Sequence, residues 1–248
     1  MVSKKNIVKA VSRVAYQSKF FRTLGNVGRR NFLTVLNYHR IDHAENRPWL
    51  DPSLISASPE QFDEQMALLR KDYSPVNTED VLAALSGQRA LPKRAVLVTV
   101  DDGYRDFAEY ISPISMKYDI EPLLFVPTAY PAKGGFWWDK LYWAVQNWGT
   151  DELETPYGSF SLATSDDRNL VLRRLRAAIK AGDFKAGMAF IEQIYSGSKP
   201  KSMSDAVDVL DWDELRALSQ NGAAIAAHTH NHPLLTRIPF DEACAEIH

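Results

Sequence analysis

The stretch AVLVTVDDG, at residues 95–103, decides the fold of this chain. Its first six residues show no polar alternation, which predicts a strand buried on both faces, as in a parallel sheet. Two carboxylates and a glycine follow at once, so the strand ends in a polar turn. Outward from it, apolar runs at residues 32–38, 122–126 and 223–227 predict three further buried strands.

Helix signals separate these strands. The sequence SPEQ at residues 58–61 supplies an N-cap serine, a proline at the first helical position and a capping-box glutamine. Residues 77–85 predict a second helix, and a third is predicted between Asp211 and Gly222, a capping acid and a C-terminal glycine. The alternation of strand and helix predicts an α/β protein with a parallel sheet, open or closed into a barrel.

A long segment, residues 136–208, lies between the last two predicted strands. It is too long for an ordinary connection, and its pattern is helical without an obvious strand, so it predicts an inserted helical subdomain. Four of the six tryptophans of the chain lie in it. Their helical spacing favours core packing over stacking on sugar rings. They are Trp137, Trp138, Trp143 and Trp148.

Composition and charge limit the remaining options. The 248 residues are 45% hydrophobic and 24% charged, which is typical of a globular protein. Residues 1–40 contain nine Lys or Arg and no Asp or Glu, whereas the other 208 residues carry 20 basic and 31 acidic side chains. Residues 1–32 therefore predict a basic amphipathic helix region, either solvated or, through residues 1–30, in peripheral contact with anionic lipid.

No targeting or disulfide signal accompanies this basic start. Lysines and arginines interrupt every candidate apolar core of a signal peptide, and Cys244 is the single cysteine. We therefore expect a location in the cytoplasm or peripheral to the inner membrane face. No nucleic-acid-binding motif accompanies the basic residues, so nucleic acid is not an expected partner.

Two polar clusters carry the chemistry, and each directly follows a predicted strand. They are TVDDG at residues 99–103 and HTHNHP at residues 228–233. The carboxyl ends of parallel strands meet at one edge of a sheet, and adjacent buried carboxylates repel each other unless a cation is present. Two histidines and one aspartate would bind such a cation and leave positions open for water and substrate, while the second aspartate could accept a proton.

These clusters resemble the motifs of the NodB-homology polysaccharide deacetylases, carbohydrate esterase family 4. Residues 99–103 match Thr-Phe-Asp-Asp-Gly with one change, and residues 228–233 match His-Ser/Thr-x-x-His-Pro in full. The resemblance covers residues 33–248 with the insertion 136–208 inside, and it implies a distorted (β/α) barrel of the glycoside hydrolase/deacetylase type. Later family motifs are not found before His248, so we expect the domain to be incomplete at its C-terminus.

The resemblance also implies the activity and the roles of individual residues. It implies a metal-dependent hydrolase acting on carbon–nitrogen bonds, which removes N-acetyl and sometimes O-acetyl groups from a polysaccharide or amino sugar. Asp101 is then the general base, and the ligands of a divalent ion, with zinc as first choice, are Asp102, His228 and His232.

A further histidine resembles part of a permuted family arrangement. The sequence LNYHR at residues 36–40 is similar to the poly-N-acetylglucosamine deacetylases of biofilm systems, in which the acid histidine precedes the first motif. His39 is accordingly a candidate general acid, and the alternative is a histidine packed at the end of its strand. Asp139, in a segment similar to exopolysaccharide-associated members, is placed near the cleft on the same grounds.

Two other functions stay open at this point. One is a catalytically inactive relative that only binds carbohydrate. The other is an unrelated metal hydrolase of the amidohydrolase type, in which His228 and His230 form the ligand pair. That pair closes an early strand in amidohydrolases, whereas here it lies near the end of the sequence. In the deacetylase reading His230 faces solvent or lies just outside the metal ligands.

Overall fold

The computed structural model of this 248-residue chain describes residues 32–133, 135–198 and 208–248. The predicted basic helix region and its proposed lipid contact lie outside these residues, apart from Phe32. The strands are β1 Leu33–Tyr38, β2 Arg40–Ile41, β3 Ile55–Ala57, β4 Ser74–Pro75, β5 Ala95–Asp101, β6 Leu123–Val126, β7 Glu152–Thr155, β8 Gly158–Ser161 and β9 Ala224–Ala227.

Nine α-helices lie in these described ranges, and none of them is long and apolar enough to cross a membrane. They are α1 Pro59–Asp72, α2 Thr78–Leu85, α3 Ser112–Lys117, α4 Tyr130–Lys133, α5 Trp137–Gln146, α6 Ser165–Ala181, α7 Phe184–Gly197, α8 Trp212–Gln220 and α9 Phe240–Ile247. A π-helical turn, Phe107–Ile111, precedes α3, and 3₁₀ turns span Pro52–Leu54 and Leu235–Arg237.

The main sheet has five parallel strands in the order β1-β5-β6-β9, with β4 paired to the start of β5. β1 pairs with β5 from Ala95 to Val100, so β4 and β6 share the other edge of β5. The prediction of a parallel α/β sheet is confirmed. In the described residues β1 and β9 are outer strands, and the sheet is open between them.

The central strand is the most buried part of this sheet, as its sequence predicts. Residues 95–100 are all buried, because β5 has neighbours along both edges and helices packed against it. β9 differs from the prediction of a buried strand, since three of its residues are only partly buried and Ala227 is exposed. The reason is its outer position, with β6 as its single neighbour in the described sheet.

The predicted helix caps are present. Ser58 accepts the N–H of Gln61 in a full capping box, and α1 buries Phe62, Met66 and Leu69 against the sheet. At α8 the N-cap Asp211 accepts from the backbone of the first turn, and the chain leaves the helix through Gly222 at φ +92°.

The insertion packs around a hydrophobic core that also includes Leu50, Tyr104 and Val209, and it is not wholly helical as expected. The antiparallel hairpin of β7 and β8 lies between α5 and α6, and it buries Leu153 and the following Leu162. Strands of four residues are too short to show a period in the sequence, and the turn depends on Gly158 at φ +122°. Trp137 and Trp138 are buried in this core, as the packing interpretation predicts.

Candidate metal centre and active site

The carboxylate half of the site stands at the end of β5. Asp101 is the last residue of the strand, and the chain then turns through Asp102 at φ +80° and Gly103 at φ +76°. A Cβ at Gly103 would lie 3.3 Å from a methyl group of Val126, so glycine suits both the backbone and the contact. The turn leaves Asp102 only 1% exposed.

The imidazole half follows β9. The His228 N–H donates to the Val126 carbonyl at 2.9 Å, and the Thr128 N–H donates to the Thr229 carbonyl at 3.0 Å. Two residues of this loop, Thr229 at φ +63° and His232 at φ +59°, lie in the left-handed region, which non-glycine residues rarely adopt. The Thr229 hydroxyl accepts the His232 N–H at 3.1 Å and closes the loop.

These two halves bring the predicted ligands together. One side-chain ligand atom from each of Asp102, His228 and His232 lies within 4.8 Å of the other two. Oδ1 of Asp102 is 3.5 Å from Nε2 of His232 and, buried as it is, has no hydrogen-bond partner in the described structure. One carboxylate and two imidazoles are a donor set that zinc and similar divalent ions accept, so the residues present fit a metal.

Burial shifts the pKa of each of the three ligand side chains toward its uncharged form. It raises the pKa of Asp102 to about 8, with a further contribution from neighbouring Asp101. Burial also lowers the pKa of His232 to about 4, helped by the proximity of His228. The pKa of His228 is lowered as well, again mainly by burial. Unprotonated imidazoles are the form that binds metal, so both histidines are prepared for it at neutral pH.

Asp101 lies between this cluster and His39. Its Oδ2 is 3.9 Å from Nε2 of His39 and 4.0 Å from Nε2 of His228, and it accepts a hydrogen bond of 2.8 Å from the Asn37 amide. The His39 side chain is 40% exposed, so it is not packed into the core. β1 and β5 are parallel neighbours, which is why both carboxyl ends reach one site. The catalytic roles of Asp101 and His39 stay predictions.

Part of the sequence is similar to known deacetylases. No protein-family model matches the sequence. An 85-residue segment is 31% identical to the poly-beta-1,6-N-acetyl-D-glucosamine N-deacetylase of Escherichia coli (strain K12), and it covers 34% of this chain but only 12% of that relative. The same values hold for the enzyme of that name from Escherichia coli O157:H7. The resemblance to polysaccharide deacetylases is confirmed.

Solved structures of deacetylases are also similar to this chain. The Streptococcus pyogenes deacetylase PplD, in complex with acetate, has a TM-score of 0.47 and 19% identity, with 86% of this chain and 62% of that chain covered. The de-N-acetylase from Aggregatibacter actinomycetemcomitans has a TM-score of 0.42 and 19% identity, with 80% and 55% covered.

His230 is set apart from the deacetylase ligands. Its side chain is exposed, and its Nδ1 lies 2.8 Å from the Thr128 hydroxyl, while the metal-compatible cluster contains His232 instead. The described geometry therefore gives no support to the amidohydrolase pairing of His228 with His230.

A buried network lies behind the metal cluster. Asp139 is fully buried, so it does not face a cleft; it accepts hydrogen bonds from the Tyr104 hydroxyl at 2.6 Å and from the Asp51 N–H at 3.1 Å. Tyr104 in turn accepts from the Trp138 indole at 2.7 Å. The Trp138 ring packs edge-on against His232, with centroids 5.1 Å apart. The insertion thus contacts a metal-ligand candidate directly.

Sequence reasoning missed Glu246 of α9. Its carboxylate accepts the backbone N–H of His230 at 3.0 Å and that of Asn231 at 2.6 Å, and it also accepts the Asn231 side-chain amide at 2.8 Å. Glu246 therefore holds residues 228–232, which we call the histidine loop. A glutamate in a terminal amphipathic helix carries no sequence signal for this role, because the contact spans 15 to 16 residues.

Proposed function

We propose that this chain is a metal-dependent deacetylase that hydrolyses the N-acetyl groups, or alternatively the O-acetyl groups, of a polysaccharide or amino sugar. The observation that carries the proposal is the meeting of Asp102, His228 and His232 in one cluster, with Asp101 4.0 Å from His228. The sequence similarity to a poly-beta-1,6-N-acetyl-D-glucosamine N-deacetylase supports an acetylated glycan as the substrate. We take zinc as the metal because imidazole and carboxylate together suit it.

Each residue of the site has a separate role in the proposed amide hydrolysis. Asp102, His228 and His232 would hold a divalent ion, which would polarise the acetyl carbonyl as a Lewis acid. Asp101, whose side chain is 15% exposed, accepts a proton from the attacking water. His39 then donates a proton to the departing nitrogen, and the distance of 3.9 Å between its ring nitrogen and the Asp101 carboxylate supports a shared site for donor and acceptor.

Two further proposals concern the fold of the chain and its location in the cell. The five parallel strands support a distorted (β/α) barrel in which the described sheet is one part. The single cysteine supports a cytoplasmic location, and the concentration of basic residues in positions 1–40 supports a position peripheral to the inner membrane face.

The test measures metal and activity separately. Zinc content and acetate release from a chitin oligomer and from poly-β-1,6-N-acetylglucosamine are measured for the wild type and three variants. Asp101→Asn should keep its zinc and lose roughly 10²–10⁴-fold in turnover, because a general base is removed. Asp102→Ala combined with His228→Ala should lose the zinc. His39→Ala should lower turnover without releasing the metal.

Asp166→Asn is the matched control, since this aspartate is exposed on the insertion, at the start of α6. Near wild-type turnover in Asp101→Asn would show that the assigned roles are wrong. Full zinc occupancy in the double variant would exclude the proposed metal site. A wild type that binds both glycans, holds zinc and releases no acetate would instead support the inactive, carbohydrate-binding alternative.

A further inference from the structure

We infer that Asn37 and Thr99 form a positioning pair that orients the carboxylate of Asp101. The inference rests on the proposed function, in which Asp101 is the base. Neither residue contacts the reacting atoms in this scheme; both act through Asp101.

The pair is built into the pairing of the two strands. Asn37 of β1 and Thr99 of β5 are direct register partners. Side chains alternate along a strand, so Asn37, Thr99 and Asp101 share the face opposite to Tyr38 and Val100, which pack against the helices. The Thr99 hydroxyl donates to Oδ1 of Asn37 at 2.9 Å, and Nδ2 of Asn37 donates to Oδ2 of Asp101 at 2.8 Å.

The chemistry of the three groups gives this chain of hydrogen bonds one direction. An ionised carboxylate only accepts hydrogen bonds, so Asp101 requires the NH₂ side of the Asn37 amide. The amide oxygen then faces Thr99, which has a hydroxyl proton to donate. A reversed amide would place its oxygen against the carboxylate oxygen, with no proton between them. Thr99 is 5% exposed, so water does not readily replace its hydroxyl.

The oxygen held in this way is the one that faces the rest of the site. Oδ2 of Asp101 lies 3.9 Å from Nε2 of His39 and 4.0 Å from Nε2 of His228. A carboxylate without a bond to Oδ2 rotates about its side-chain torsion, and its distances to both histidines then vary. Because proton transfer needs a set geometry, the Asn37 bond should matter for turnover more than for substrate binding.

The kinetic test uses variants that remove one bond at a time. Asn37→Ala should lower kcat by about tenfold, the scale expected for loss of a hydrogen bond to a charged group, with KM and zinc affinity unchanged. Thr99→Val should give a smaller loss, whereas Thr99→Ser keeps the hydroxyl and should retain turnover. In the Asn37→Ala background, Thr99→Val should lower kcat little further, because Thr99 acts on Asp101 only through Asn37.

Two controls separate positioning from general stability. Asn147→Ala removes an amide that donates to the Trp143 carbonyl at 3.0 Å, within the insertion. It should leave kcat unchanged. In an Asp101→Asn background, Asn37→Ala should cause no further loss of the residual turnover, since the group it orients is already gone.

Crystal structures of the zinc-loaded wild type and Asn37→Ala supply a readout independent of activity. We expect the Asp101 carboxylate to rotate or to occupy several rotamers in the variant, while Asp102, His228 and His232 stay in place. An unmoved Asp101, or an undiminished kcat, would overturn the inference. A wild type that deacetylates no glycan would defeat the proposed function alone, because the crystallographic comparison still decides whether Asn37 holds Asp101.

Discussion

The two halves of the candidate site are held by different parts of the protein. The turn after β5 continues a central strand that is buried and has neighbours on both edges. The loop after β9 follows an outer, half-exposed strand and is held by backbone bonds to 126–129 and by the carboxylate of Glu246. The carboxylates are therefore positioned by the core of the sheet, whereas the imidazoles depend on a few hydrogen bonds.

Burial also shifts the pKa values of the two halves in opposite directions. It favours the protonated form of Asp102, whose pKa rises to about 8, and the unprotonated form of His232, whose pKa falls to about 4. At neutral pH the histidines are therefore ready for a metal, while Asp102 must lose a proton to bind it. The β5 half thus carries an electrostatic cost in the metal-free protein.

The largest expected effect is on the free energy of unfolding, and it should come from replacing the buried carboxylate of Asp102. In the metal-free wild type, the unfolded chain ionises Asp102 near its usual pKa, 3.8, and the folded chain only near 8. Stability contributed by this group is therefore full below about pH 4 and is lost as pH rises to about 8, by several kcal/mol in total. Asp102→Asn should be the more stable protein at pH 8, and the difference should vanish near pH 4.

Urea unfolding of chelator-treated protein at pH 4 to 9 measures this difference, and Asp166→Asn is the exposed control. A difference between wild type and Asp102→Asn that does not grow with pH would show that Asp102 is not desolvated as described.

The next effect concerns the rigidity of the β5 turn. Gly103→Ala forces a side chain into a left-handed backbone, φ +76°, and against Val126 at 3.3 Å. We expect a loss of about 1–3 kcal/mol in the free energy of unfolding of the whole protein. Gly222→Ala is the matched control, because it has φ +92° but nothing within 4 Å of its added Cβ.

Thermal unfolding of both glycine variants makes the measurement. The loss in Gly103→Ala beyond that in Gly222→Ala reports the contact with Val126. Equal losses in the two variants would mean that backbone strain alone accounts for the effect and that the β5 turn is not tightly packed.

The smallest expected effect is on zinc affinity, and it should come from a change to the support of the loop after β9. Glu246→Gln keeps the shape of the side chain but turns an NH₂ group toward at least one of the donors it now accepts from. We expect zinc affinity to fall by about tenfold, as for other groups that support metal ligands, while the Tm of the metal-free protein stays unchanged.

Glu242→Gln is the control on the same helix, since Glu242 pairs with Lys185 at 3.6 Å, away from the histidine loop. Zinc titration and thermal unfolding of the two variants give both quantities. A fall in the Tm of Glu246→Gln as large as in Gly103→Ala would erase the distinction between the two halves.

Parts of this molecule could be predicted from local sequence because their causes are local. The unbroken apolar run 95–100 and the capping boxes at Ser58 and Asp211 are patterns of consecutive residues, so a buried strand and two helix starts could be predicted from them. The exposure of β9 could not be predicted, because an apolar run of five residues reads the same at the centre and at the edge of a sheet. The hairpin of β7 and β8 was missed because its strands are too short to show a period.

The candidate site also has features that the sequence predicts and features that it does not. By itself, the sequence determined which residues can carry the chemistry, since TVDDG and HTHNHP each hold several ligand types within a few positions. Only the tertiary structure decided that Asn37 bonds Asp101 across 64 residues, that Glu246 holds the histidine loop, and that Asp139 is buried behind the metal cluster. The physical reason is that ligand chemistry belongs to the residue type, whereas distance and desolvation depend on which strands and helices pack together.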